Sequence, residues 1–151
     1  MRNKGFTLTE LLIALAIIGI LSGIAVTAYI GTALKAARAE AYSNLESLKL
    51  LEEQIISDTG DYTISLGTCS KDIPDGNVGI IQAGGLRGFQ PCDPNVPLSC
   101  DDISFSYCIE SNTNLAGENQ DPCFRASAFG NTNTRVDGDV FMIDCNNTRN
   151  F

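Results

Sequence analysis

Between Phe6 and Leu34 the only charged side chain is Glu10. It sits near the start of an apolar run longer than the roughly 18 residues a helix needs to cross a bilayer core. A charge inside such a segment costs roughly several kcal/mol unless something pairs with it, so Glu10 calls for a counter-charge. The residues before it offer one. Met1-Arg2-Asn3-Lys4-Gly5 is a short basic leader, which by the positive-inside rule holds the N-terminus in the cytoplasm. In a secretory signal peptide the small-residue cleavage site follows the apolar region, whereas here the small residue, Gly5, precedes it. A cut after Gly5 leaves the apolar segment on the mature chain and makes Phe6 its N-terminus. The new α-amine then lies about one helical turn from Glu10, or within reach of the Glu10 of a neighbouring molecule.

Lys4-Gly5-Phe6-Thr7-Leu8-Thr9-Glu10, followed by Leu-Leu-Ile-Ala-Leu-Ala-Ile-Ile-Gly-Ile-Leu, resembles the class III signal and N-terminal segment of type IV pilins and the related pseudopilins. The resemblance covers the leader and the apolar segment. It implies that a prepilin peptidase cuts between Gly5 and Phe6 and methylates the Phe6 amine. It implies as well that Glu10 pairs with the N-terminal amine of an adjacent subunit as a filament assembles. The implied fold is α+β, the type IV pilin fold. In it a long N-terminal helix, protruding and apolar in its first half and amphipathic in its second, packs against a small antiparallel sheet with a disulfide-stapled C-terminal region. Residues 1–5 are then a leader, 6–31 the transmembrane and filament-core half of the helix, and 32–151 the globular domain.

By the same resemblance the chain is a structural subunit of a type IV pilus, not an enzyme, and needs no cofactor. Its partners are further copies of itself in a helical filament, the peptidase/methyltransferase, the inner-membrane assembly machinery and, before assembly, the membrane. Its location is the inner membrane as a precursor and the cell-surface pilus afterwards. The alternatives are a minor pilin, a periplasmic pseudopilin of type II secretion, whose major forms usually lack disulfides, and, from another class, a monomeric membrane-anchored binding domain.

Composition narrows the chemistry. The chain has 151 residues and a net charge of −8, moving to −10 if Arg2 and Lys4 leave with the leader. No basic patch is available to neutralise phosphates, which argues against nucleic-acid binding. There is no histidine, so the commonest general base and a common metal ligand are missing together. Six cysteines, Cys69, Cys92, Cys100, Cys108, Cys123 and Cys145, all follow the apolar segment. An even number confined to an exported region reads as a disulfide set, with 15 pairings open among six cysteines. Their spacings match neither a zinc ribbon nor a C-x-x-C redox pair.

Other chemistry-bearing residues point less far. Asp137-Gly138-Asp139, with Asp144 nearby, could offer oxygens to Ca²⁺, but Asp-Gly-Asp between strands is also an ordinary turn. Asp101 and Asp102 are adjacent carboxylates that a strand would point to opposite faces. Phe6, Tyr29, Tyr42 and Tyr62 on or near the helix are explained by packing or a membrane interface. Asn146-Asn147-Thr148 matches an N-glycosylation sequon.

These residues are positioned by a simple order of elements. Thr7 and Glu10 have capping-box spacing, and a freed Phe6 amine would compete for the same carboxylate with the stronger, charge-assisted contact. Gly19-x-x-x-Gly23 matches the small-residue pattern that lets membrane helices approach closely. After Gly31 the apolar residues Leu34, Ala37, Ala41, Leu45, Leu48, Leu51 and Ile55 recur every three or four positions, the stripe of an amphipathic helix. No proline interrupts residues 6 to 57, and Asp58-Thr59-Gly60-Asp61 supplies a stop. One continuous helix of about 50 residues, about 75 Å long, is predicted. Residues 60–102 read as loops pinned by Cys69 and Cys92, with a short strand around Val78–Ile81. Residues 103–110, 124–129 and 140–145 read as strands, separated by a polar loop at 112–122 and a second loop at 130–138.

Overall fold

The computed structural model describes residues 7–93, 99–100 and 103–151, with Thr27 and residues 74–76 described by their backbone alone. The chain divides into two units, residues 1–36 and 37–151. A single helix, α1 (Leu8–Thr59), runs for 52 residues. Its end follows from Gly60, whose φ of +92° is a left-handed conformation that costs glycine nothing. The Gly60 N–H donates to the Ile56 carbonyl at 2.9 Å and closes the last turn.

The unit formed by residues 37–151 is a helix-on-sheet arrangement. Three antiparallel strands, β1 (Phe105–Thr113), β2 (Asn119–Gly130) and β3 (Val140–Asp144), lie in the order β1-β2-β3. The register places Tyr107 opposite Ala128 and Ile109 opposite Ala126, with Phe141 and Ile143 continuing the same face on β3. Against that face α1 lays Ala41, Leu45 and Leu48, all fully buried. The Asn44 amide donates to the Tyr107 hydroxyl at 2.8 Å, and Tyr42 meets Phe141 edge-on at 4.8 Å.

A second helix corrects the strand expected around Val78–Ile81. Residues Pro74–Ala83 form α2. Proline suits the first turn of a helix, where its missing N–H is not needed, and Val78 and Ile81, three residues apart and both buried, make one apolar helical face. The polar segment 112–122 is also not a loop. A register shift lies between Ser111 and Thr113, and the ladder then resumes with Thr113 opposite Asn119, leaving only a tight connection through Gly117. Ladder hydrogen bonds join backbones, so polar side chains facing water do not prevent pairing.

The alternation expected of β1 holds on its inner face, but Ser106 and Cys108 on the other face are buried as well. The segment ahead of α2 covers them. Leu66 bridges to Ile109 across the sheet edge, the Ile73 N–H donates to Ser106 Oγ at 3.0 Å, and Cys69 is bonded to Cys108. The remaining cysteines pair as Cys92–Cys100 and Cys123–Cys145, so all six are joined.

The helix stripe contains one surprise. Leu51 and Ile55 are only half-buried, and the position between them in the core belongs to Glu52, which is fully buried. Its carboxylate accepts the Thr63 N–H at 3.0 Å and the Thr63 hydroxyl, tying the chain after the helix back onto it. Burial pushes the Glu52 carboxyl up, against the opposing effect of the Thr63 hydrogen bonds. A carboxyl with a raised folded pKa contributes stability that is complete below its unfolded value, about 4.3, and is lost as pH rises through the folded value. Glu52→Gln keeps an acceptor for the N–H and a donor for the hydroxyl but cannot ionise. The variant is expected to gain stability relative to the parent as pH rises from about 4.3 towards 7. Denaturant midpoints of both proteins across that range check this. A difference that stays constant with pH would show that Glu52 ionises as readily in the fold as out of it.

Candidate functional site

The first turn of α1 holds the carboxylate in an internal frame. Thr7 N–H and Thr7 Oγ1 donate to Glu10 Oε2 at 2.9 and 2.7 Å, and Glu10 N–H donates to Thr7 Oγ1 at 3.3 Å. This is the reciprocal capping box, satisfying helix donors that would otherwise lack partners. All of these contacts are to neutral groups, so they orient Glu10 without cancelling its charge. Gly5 and Phe6, expected to flank the cut, lie outside the described residues, and so does any contact between the Phe6 amine and Glu10.

From Leu8 to Ile30 the large apolar side chains are exposed, among them Leu8 at 76%, Ile20 at 67% and Ile24 at 65%. The helix is long and apolar enough to cross a membrane. Its hydroxyls suit such surroundings. Ser22 Oγ donates to the Ile18 carbonyl at 2.7 Å, and Thr32 Oγ1 to the Ala28 carbonyl at 2.9 Å, each within its own helix. Nothing lies within 4 Å of where a β-carbon would stand at Gly19, Gly23 or Gly31, so those positions leave the backbone open to close approach by another helix. An apolar surface of this extent is stable only when lipid or protein covers it.

The other candidate residues are engaged elsewhere. Asp139 takes a bidentate pair from Arg38, 2.8 and 3.0 Å, and Asp137 pairs with Lys71 at 3.1 Å. Asp144, almost fully buried, accepts the backbone N–H groups of Leu115, Asn146 and Thr148 at 2.8–2.9 Å. These three carboxylates are spent on holding strands and turns, and no group of three or more acidic, cysteine or histidine side chains among the described residues is placed to share a metal. Asp101 and Asp102 lie outside the described residues.

Tyr42 stacks on Phe151 at 4.4 Å, and Tyr62 meets Phe124 edge-on at 4.9 Å, so both serve packing. The Asn146 amide is exposed and exchanges hydrogen bonds with Gln120. A cleft of about 390 Å³ is lined by Gln82, Gln90, Cys92 and Asp93. Among the described residues it brings together amides, one carboxylate and a disulfide sulfur, without a nucleophile beside a base.

Sequence reasoning overlooked Glu52 and took Asp144 only as a possible oxygen donor to Ca²⁺, not as the buried acceptor of backbone N–H groups that it is. The signal for Glu52 was its phase: 41, 45, 48 and 52 continue one helical line. For Asp144, the following Asn-Asn-Thr is a turn whose N–H groups need an acceptor.

Comparison with known proteins bears on the N-terminal part. Residues 1–26 match the family described as the prokaryotic N-terminal methylation motif. The chain is 40% identical over 62 residues to the type IV major pilin protein PilA of Myxococcus xanthus (strain DK1622). That match covers 41% of this chain and 28% of the relative, so it spans little more than a quarter of that protein's length. No solved structure matches the chain.

Proposed function

We propose that this chain is a type IV pilin, a structural subunit that polymerises into an extracellular filament; its N-terminal methylation motif and its α+β fold support the reading. The observation that carries the reading is the exposed apolar stretch of α1 with Glu10 as its one charge, oriented by Thr7 but not neutralised by any of the described residues.

The mechanism has four steps. The basic leader and apolar stretch place the precursor in the inner membrane with residues 32–151 outside the cytoplasm. A prepilin peptidase cuts between Gly5 and Phe6 and methylates the new amine. The Phe6 amine of one subunit then meets Glu10 of another, which lowers the cost of moving that carboxylate through the membrane and sets the axial register. Finally the apolar surfaces from Leu8 to Ile30 pack together, replacing lipid with protein. Close approach at Gly19 and Gly23 suits that packing, and three disulfides suit a domain exposed to an oxidising exterior.

The test is to shear filaments from intact cells and take the intact mass of this protein in that fraction. The expected mass starts at Phe6, carries one methyl, and is six hydrogens short for three disulfides. The same processed mass confined to membrane and periplasm would replace the pilus with a pseudopilin or scarce minor pilin. An uncut chain from Met1 would return the protein to the class of plain membrane anchors.

A further inference from the structure

Among the described residues of the globular unit, Arg38, Lys71, Arg125 and Arg149 are held in ion pairs. Arg135, like Lys49 and Arg87, makes no side-chain hydrogen bond or ion pair among the described residues, and it is exposed on a cleft whose described lining holds no carboxylate. Its freedom is not the slackness of a loose loop. Val136 beside it is buried and lies against Gly130, the Asp139 N–H donates to the Val136 carbonyl at 2.9 Å, and Thr134 Oγ1 donates to the Asn131 carbonyl at 2.7 Å. Nor do the nearest acids of its own loop neutralise it, because Asp137 and Asp139 hold Lys71 and Arg38. The chain thus presents a guanidinium on a firm support, at a cleft of about 300 Å³ shared with Ala37, Ser104, Asn133 and Thr134.

The complementary groups lie at the other end of the same stretch of helix. The last turn of α1 has no basic residue. Asp58 in it and Asp61 just after it make no side-chain hydrogen bond or ion pair, although Arg87 lines the same cleft as Asp58. Their charge adds to the negative end of the helix dipole, an unfavourable arrangement within one molecule. From Ala37 to Asp58 the helix rises about 30 Å, so Arg135 and these carboxylates cannot meet within one copy. Two different patches that fit each other make a heterologous contact, which repeats as an open helical array when its rotation does not close.

On the reading that copies of this chain polymerise, we infer that Arg135 is a subunit-contact residue that takes a carboxylate of a second copy, supplied by Asp58 and Asp61. A guanidinium can bind a carboxylate with two parallel hydrogen bonds, so the contact fixes orientation as well as attracting.

The test is charge reversal in the full chain, with sheared filaments as the readout and the processed, disulfide-bonded mass in the membrane fraction as the folding control. Arg135→Glu is expected to reduce filament yield about tenfold or more, equivalent to about 1.4 kcal/mol per contact. Adding Asp58→Arg with Asp61→Arg to that variant is expected to restore it. Parental yield from Arg135→Glu, or no recovery on adding the two reversals, overturns the contact while leaving the filament reading intact. Absence of filaments from the parent chain overturns the filament reading itself. If the glutamate variant does not accumulate with its disulfides formed, Arg135→Gln takes its place: a reduced yield supports the contact and a parental yield overturns it.

Discussion

Glu10→Gln is expected to leave the protein cut, methylated and membrane-inserted, yet absent from sheared filaments. The substitution isolates charge from helix capping. Glutamine at this position can still accept from Thr7 N–H and Thr7 Oγ1, the contacts that Glu10 makes at 2.9 and 2.7 Å, and capping boxes accept either residue. What it cannot do is neutralise the amine of a neighbouring Phe6. If that pairing is worth about 3 kcal/mol in the low-dielectric filament core, its loss shifts subunit addition roughly a hundredfold. Glu10→Ala should give the same loss of filaments with a frayed first turn as well. Filaments at normal yield from the glutamine variant would remove charge pairing from the mechanism and leave Glu10 as a helix cap.

Gly130→Ala should be the most damaging single-methyl change in the globular unit. A β-carbon there would stand 1.8 Å from the Val136 carbonyl oxygen and 2.7 Å from its carbon. Both are backbone atoms, so no side chain can turn aside. The Gly130 N–H is also bonded to the Asp139 carbonyl at 2.9 Å, which fixes the two segments together. Relief requires lifting residues 131–139, and with them the buried Val136 and the Arg38–Asp139 pair. The expected cost is about 3 kcal/mol, at or beyond the upper end for overpacking, or roughly a 10 °C fall in melting temperature for the full chain in detergent. Gly138→Ala is the internal comparison. It meets open space but has a φ of +87°, so it should cost only about 1 kcal/mol from backbone strain. Equal melting temperatures for the parent and the Gly130 variant would show that Val136 does not press on that strand.

The sequence made some elements legible and hid others, for physical reasons. The long helix could be read because its signals are local: no proline, an apolar stripe, and a glycine where the left-handed turn falls. The core of β1 could be read by alternation, and those of β2 and β3 as short segments bounded by turn residues. By contrast α2 was hidden because Val78 and Ile81 in a segment rich in turn residues suit a short helix and a short strand alike, and packing decides between them. The polar halves of β1 and β2 were hidden because backbone pairing leaves no trace in side-chain polarity. Glu52 was hidden because its burial depends on Thr63, a partner on the far side of the turn. At the N-terminus the candidate residues could be named from the order of residue types, a lone carboxylate in an apolar run and a glycine placed before it; the fold adds the Thr7 frame around Glu10, while Gly5 and Phe6 lie outside the described residues. The unpaired Arg135 could not be named in this way, because only the fold shows that the acids beside it in the chain, Asp137 and Asp139, hold Lys71 and Arg38 instead.

The three covalent links between cysteines also have an arrangement that matters. Cys92–Cys100 lies wholly within the span closed by Cys69–Cys108, and Cys123–Cys145 lies wholly beyond it. None interleaves with another, so each ring can close independently, in any order, wherever the chain meets an oxidant. A protease that cuts once between Cys69 and Cys108, or between Cys123 and Cys145, therefore releases no fragment. Nicked molecules remain single covalent bodies, so an array built from them would keep its continuity after surface damage.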